Sequence, residues 1–238
     1  MLHRAGVVLA AGHPLRIMSH SLDSIFCPRS VAVIGASAAP EKFGYIILKN
    51  ILEAGFAGSV YPVNPKATEI LGRPCTRSIA DLPPGVDLAV IIIPARAVPQ
   101  AVADCGQRGI KAAIIISGGF AESGEAGAAL QREVVEAARR SGVRVVGPNC
   151  QGVNNPHHGL CASWPLLTEQ GEIAVISQSG TVGAALMDWA SQERLGCSAF
   201  VSLGNRCDVD ETDLIDYLAQ DANTRAIAAY LEGVKDLA

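Results

Sequence analysis

Strand-like and helix-like segments alternate along this 238-residue chain, and that alternation predicts an α/β fold built on parallel sheets. The strand segments are short and rich in Val and Ile, without polar alternation, as strands covered on both faces require. Hydrophobic residues make up 49% and aromatic residues only 5%, so the apolar content is Ala, Val, Ile and Leu, which suits helices packed closely on such a sheet. Predicted strands are Val31–Gly35, Ser59–Val63, Leu88–Ile93, Ala112–Ile116 and Val143–Val146. Predicted helices run near Gly44–Ala54, Val98–Arg108 and Gly124–Ser141. Five strands with crossovers make one doubly wound domain, ending near Pro148.

The rhythm breaks at Asn154–Gly171, which reads as a linker, and then resumes. Glu172–Ser177, Ala199–Leu203 and Ala226–Leu231 read as strands, and Gly180–Leu195 and Glu211–Gln220 as helices. Three strands and two helices are too few to cover a sheet, so the sequence is expected to stop inside this second domain and to leave apolar faces exposed. Residues 1–17 imitate a signal peptide only weakly, with a short apolar stretch and no clear cleavage site. Met18 begins a stretch that looks like an ordinary amino terminus, so an upstream start codon or a disordered extension is expected over export. The expected division is an extension over 1–20, a first domain over 21–153, a linker over 154–171 and a partial domain over 172–238.

A formal net charge of −4 and the lack of a Lys/Arg cluster argue against a nucleic-acid partner. The longest apolar runs, such as Leu88–Pro94, have strand length, which argues against a membrane span. Seven scattered cysteines form no C-x-x-C and no zinc spacing, which predicts a reduced, cytoplasmic protein with buried thiols and no metal site.

In a parallel sheet a ligand sits at the carboxyl ends of the strands. The first strand ends Gly35-Ala36-Ser37, where backbone amides and a hydroxyl face a helix start and suit a phosphate. A turn that merely needs its glycine is the plainer reading. The second strand ends Asn64-Pro65-Lys66, where an NAD site would usually place an acid. A lysine there suits an extra phosphate on an adenosine ribose, as in NADP or coenzyme A, and is otherwise a solvated side chain. The third strand ends at Ile93-Pro94, and the fourth at Ser117-Gly118-Gly119, which lets a ligand approach the backbone. The fifth runs into the unusual turn Gly147-Pro148-Asn149-Cys150. In the second domain, Ser179-Gly180-Thr181 at a helix start suits an anion or, more plainly, a helix cap.

Taken together, "SVAVIGAS", "YPVNPK", "DLAVIIIPA", "IIISGGFAESG", "VVGPNCQGV", "AVISQSGTVG", "SLGNRCDVDETDLIDYL" and "YLEGVKD" resemble the NDP-forming acyl-CoA synthetases. That superfamily includes succinyl-CoA synthetase and ADP-forming acetate–CoA ligase. The resemblance implies a Rossmann-like, doubly wound CoA-binding domain followed by an incomplete flavodoxin-like α/β domain. It places Gly35, Ala36 and Ser37 at the phosphates of coenzyme A, and Lys66 at its phosphate or adenine ribose with Pro65 packed nearby. Ile93, Pro94, Ser117 and Gly118 would line the adenine and pantetheine path. Asn149 and Cys150 would face the thiol end and the acyl-phosphate chemistry. The family joins a carboxylic acid to coenzyme A, coupled to phosphoryl transfer with a nucleotide through a phosphohistidine. Ser179, Gly180 and Thr181 match a helix terminus that holds the phosphoryl group, and Glu232 matches the acid that orients the histidine. A carboxylate beside an imidazole fixes its tautomer, so the pairing is chemically sound.

The phosphohistidine turn of the family lies beyond the point matching Glu232, and no such turn occurs before Ala238. His3, His13, His20, His157 and His158 do not match it. The nucleotide-grasp domain that would bring ATP or ADP and Mg is also missing from these residues. The resemblance therefore implies a chain that binds coenzyme A and meets its carboxylic acid or acyl-CoA with a grasp domain or a beta-type subunit, in an oligomer. Two other functions fit the residues. One is a stand-alone CoA-binding or regulatory module, or part of a protein acetyltransferase. The other is an NADP-dependent oxidoreductase. A Cys150 nucleophile served by His157 or His158 lacks an orienting third group. The acidic run Asp208, Asp210, Glu211 and Asp213 reads as helix capping in preference to a metal site.

Overall fold

A computed structural model describes residues 7–8 and 22–233. The chain opens with a two-residue strand, β1 (Val7–Val8), and a one-turn helix, α1 (Asp23–Phe26). The first domain then runs β2 (Ser30–Ile34), α2 (Phe43–Glu53), β3 (Ser59–Val63), a small hairpin of β4 (Glu69–Ile70) and β5 (Arg73–Pro74), β6 (Leu88–Ile91), α3 (Val98–Gln107), β7 (Ala112–Ile115), α4 (Glu125–Ser141) and β8 (Arg144–Val146). Its five-stranded sheet is parallel throughout, in the order β3-β2-β6-β7-β8. The winding reverses between β2 and β6, and that reversal opens a crevice at their carboxyl ends.

Alternate residues of these strands feed two cores. Val31, Val33, Leu88, Val90, Ala112 and Ile114 pack with Ile47, Leu48 and Ile51 of α2. Ala32, Ile34, Ala89, Ile91, Ala113 and Ile115 pack with Val98 and Val102 of α3 and Val134 of α4. Both faces are covered, which is why every residue of β2, β6 and β7 is buried and the runs carry no polar alternation.

The second domain runs β9 (Gly152–Asn155), β10 (Leu160–Ser163), β11 (Gln170–Ser177), α5 (Gly180–Gln192), β12 (Cys197–Ser202), α6 (Glu211–Leu218) and β13 (Ala226–Tyr230). Its sheet has the order β1-β13-β11-β12-β9-β10, with β13, β11 and β12 parallel and the other pairs antiparallel. Ile173 of β11, Leu186 and Trp189 of α5, Leu195 and Leu231 are left exposed in this domain.

The structure corrects the expected linker. Much of 154–171 is the β9–β10 hairpin, paired onto β12 and seated on the first domain. The buried Asn50 of α2 donates to the carbonyls of Ser163 (2.9 Å) and Trp164 (2.8 Å). Asn155 donates to Phe26 O at 3.0 Å. Val153, Leu160 and Ala162 join the same core as α2, so the two domains share apolar interior. Within the stretch expected to be disordered, Val7–Val8 pair with Ala228 and Ile227 of β13. The rest of 1–20, including Met18, lies outside the described residues. Among the described residues no helix is long and apolar enough to cross a membrane.

Candidate functional site

The turn after β2 is held tightly. Gly35 adopts φ +91°, and a Cβ there would collide with the Ile92 carbonyl, so only glycine fits. Its N–H donates to Val63 O at 3.1 Å, while Ile92 N donates to Ile34 O at 2.8 Å. A Cβ on Gly44 would likewise strike the Gly35 carbonyl, so the start of α2 lies directly against this turn. Ala36 is buried, and the Ser37 hydroxyl accepts from Ala39 N at 3.1 Å, leaving its own proton to donate outward. No side chain caps the first turn of α2, whose amides therefore suit an anion.

The turn after β3 is joined to the first by a residue that sequence reasoning passed over. Asn64 donates to Ala36 O at 2.7 Å and accepts from the amides of Lys66 (2.8 Å) and Ala67 (2.9 Å). The Asn-Pro pair was its only signal. Pro65 and Lys66 are exposed, and among the described residues the Lys66 amine makes no ion pair. Gly35, Ala36, Ser37, Pro65 and Lys66 thus converge at the crevice.

A second group forms at the ends of β6 and β7. The Ser117 hydroxyl accepts from Ile93 N at 3.1 Å and donates to Ile93 O at 2.6 Å. Pro94 and Gly118 are exposed beside this clasp. Asn149 adopts φ +57° and donates its N–H to Ser117 O at 2.9 Å, so it joins the same edge with an exposed side chain. A Cβ on Gly118 would come within 3.1 Å of Asn149 Oδ1.

Cys150 does not join them. The left-handed turn at Asn149 sends the next side chain inward, and the thiol donates to Ile115 O at 3.3 Å in the core. Burial pushes it up to about 12, against a partly offsetting backbone hydrogen bond. A neutral, enclosed thiol is a poor nucleophile, so the expected role at the reacting end is withdrawn. A shift from 9.0 to about 12 cuts the thiolate about a thousandfold at pH 8. We expect iodoacetamide at pH 8 to leave Cys150 unmodified in the folded chain and to label it in urea, as read by mass spectrometry. Labelling at equal rates in both states would contradict the placement.

His157 and His158 lie elsewhere. Their Nε2 atoms donate to Gly171 O (2.8 Å) and Pro28 O (2.7 Å). They line a cavity of about 750 Å³ with Arg29 and Gly58, at the amino ends of β2 and β3 and opposite the crevice. The Cys150–His pairing is thereby excluded.

In the second domain, Ser179 caps α5 by accepting from Val182 N at 3.4 Å, and Gly180 and Thr181 form its first turn. The amide of Gln151 lies against Gly180. The 9% exposed Gln178 links this turn to Glu232. Its Nε2 donates to Gly233 O (2.9 Å), and its Oε1 accepts from Glu232 N (2.7 Å) and Gly233 N (3.2 Å). The Glu232 side chain stays exposed beside the α5 start. The acidic run is consumed internally. Asp210 caps α6 from Thr212 N and Asp213 N, Asp208 and Asp213 pair with Arg144, and Glu211 pairs with Arg206.

A family model described as a CoA binding domain matches residues 29–156, and one described as a succinyl-CoA ligase like flavodoxin domain matches residues 170–238. The alpha subunit of acetate–CoA ligase [ADP-forming] I from Pyrococcus furiosus is 49% identical over 221 residues, covering 91% of this chain and 48% of the relative. The 4-hydroxybutyrate–CoA ligase [ADP-forming] of Nitrosopumilus maritimus is 40% identical over 215 residues, covering 89% of this chain and 31% of the relative. A structure of dinucleotide-forming acetyl-coenzyme A synthetase 1 from Ca. Korarchaeum cryptofilum, in complex with phosphate and ADP, superposes with a TM-score of 0.86 at 43% identity over 90% of this chain and 46% of that one. The chain spans half or less of the length of these relatives.

Proposed function

This chain belongs to the NDP-forming acyl-CoA synthetase superfamily, as its CoA-binding part, and on that premise we propose that coenzyme A lies across the crevice between β2 and β6. The observation that supports the placement is the Asn64 bridge, which ties the backbone of Lys66 to the Gly35-Ala36-Ser37 turn, where a dinucleotide site would carry an acid. Lys66 meets the 3′-phosphate. The Ser37 hydroxyl and the uncapped start of α2 face the pyrophosphate. Ile93, Pro94, Ser117 and Gly118 flank the arm, and Asn149 stands at the thiol end.

In the whole protein, a carboxylic acid, coenzyme A and a nucleoside triphosphate give acyl-CoA, nucleoside diphosphate and phosphate. Ser179, Gly180 and Thr181 receive the phosphoryl group at the start of α5, and Glu232 orients the histidine that carries it. A grasp domain or a beta-type subunit brings ATP or ADP with Mg, and the assembly is oligomeric and cytoplasmic. The metabolic relatives support this reading.

The site is tested by a cycle of two ligands and two proteins. An ammonium–phosphate contact contributes about 1.5 kcal/mol, or about tenfold. Wild-type chain should bind coenzyme A about tenfold more tightly than 3′-dephospho-CoA. Lys66→Ala should bind both at the weaker affinity. A Lys66→Ala chain that still discriminates the two would remove Lys66 from the site.

A further inference from the structure

The loop between β12 and α6 reaches into the first domain. Asn205 N donates to Pro148 O (2.8 Å), Cys207 N to Gly147 O (2.9 Å) and Val209 N to Val145 O (3.0 Å), so the segment runs along β8 and its exit. That main-chain ladder fixes where the Asn205 side chain points. Its Nδ2 donates to Glu122 Oε2 (2.5 Å) and to Gln131 Oε1 (2.8 Å), and its Oδ1 accepts from Asn149 Nδ2 (3.4 Å). Every polar atom of the amide is engaged, each by a different part of the first domain. Glu122 in turn accepts from Gly119 N (2.5 Å) and Phe120 N (3.0 Å) through Oε1. This carboxylate curls the exposed loop that follows Ser117 and Gly118. Burial acts to raise its pKa, but the bonds from Asn205, Phe120 and Gly119 prevail and hold it low. On the other side of the same loop, Arg206 pairs with Glu211 at 2.5 Å.

We propose that Asn205 is a positioning residue for the coenzyme A site, supplied by the second domain, and that it acts by fixing the Glu122 carboxylate that shapes the Ser117–Phe120 loop. The assignment rests on the coenzyme A reading above. It makes the first domain's affinity depend on how the second domain docks. A glutamate without its Asn205 donor loses the bond that aims its carboxylate, and the loop relaxes. An aspartate at position 205 sets two carboxylates against each other across 2.5 Å and does more harm.

The test is calorimetric titration of the 238-residue chain with coenzyme A. Asn205→Ala should weaken binding about tenfold, and Asn205→Asp about thirtyfold or more. The exchange variant Glu122→Gln with Asn205→Asp keeps the net charge and reverses donor and acceptor. Its glutamine amide at position 122 would still accept from Gly119 N and Phe120 N through oxygen. The nitrogen of that amide would donate to the new carboxylate at position 205, while the Gln131 amide turns to donate as well. The exchange variant should recover affinity to within about threefold of wild type, a recovery that loss of general stability cannot produce. Should Asn205→Ala fail to fold, the comparison of Asn205→Asp with the exchange variant decides alone. An Asn205→Ala chain that binds like wild type, or an exchange variant as weak as Asn205→Asp, overturns the role of Asn205 while leaving the coenzyme A reading intact. A wild-type chain that does not bind coenzyme A overturns both.

Discussion

Gly35→Ala should abolish coenzyme A binding and remove about 3 kcal/mol of stability. The backbone at Gly35 sits at φ +91°, where a side chain costs about 1–3 kcal/mol in strain alone. The added carbon also meets the Ile92 carbonyl and comes within 2.9 Å of the Ile93 side chain. Neither neighbour can yield cheaply, because Ile92 N is bonded to Ile34 O at 2.8 Å and Gly35 N to Val63 O at 3.1 Å. Relief comes only by moving the turn, and the turn is the proposed phosphate cradle. Gly109→Ala is the matched control. Its φ is +82°, but nothing lies within 4 Å of the added carbon. It should cost about 1 kcal/mol and leave binding unchanged. Urea denaturation and coenzyme A titration of both variants check this. Equal losses in the two would mean that crowding at Gly35 is unimportant.

The second large effect is expected at Gln178. Gln178→Ala removes three hydrogen bonds to the segment carrying Glu232. At about 1 kcal/mol each, local opening becomes easier by about 3 kcal/mol, or about a hundredfold. The amides of Glu232 and Gly233 receive no other protection from this turn, so their hydrogen exchange should accelerate by that factor. Amides of β11 should exchange as before. Unchanged exchange at Glu232 and Gly233 would show that another contact holds this segment.

The strands were legible because each is a continuous apolar run between turn residues, and the two-sided cover that such runs imply is present. The β9–β10 hairpin was hidden by its own polarity. Asn154 and Ser163 are buried and bonded to each other at 2.8 Å, so polar letters that read as a linker are interior. Gly35 and Lys66 stand out as candidates from their places after strands. The roles of Asn64 and Asn205 as bridges stay hidden, since their partners lie 28 and 83 residues away and only the fold brings them together. Cys150 was misjudged for a local reason. The left-handed turn at Asn149 separates two adjacent side chains, sending one outward and the other into the core.

The most direct measurement is calorimetric titration of the wild-type chain with coenzyme A and, separately, with NADP. Both ligands carry an adenosine and an additional ribose phosphate, so charge alone does not separate them. Lys66 beside a turn with no ribose-binding acid, on a chain of this superfamily, predicts saturable binding of coenzyme A and none of NADP at the same concentrations. Binding of NADP without coenzyme A would contradict the account and return the crevice to a dinucleotide.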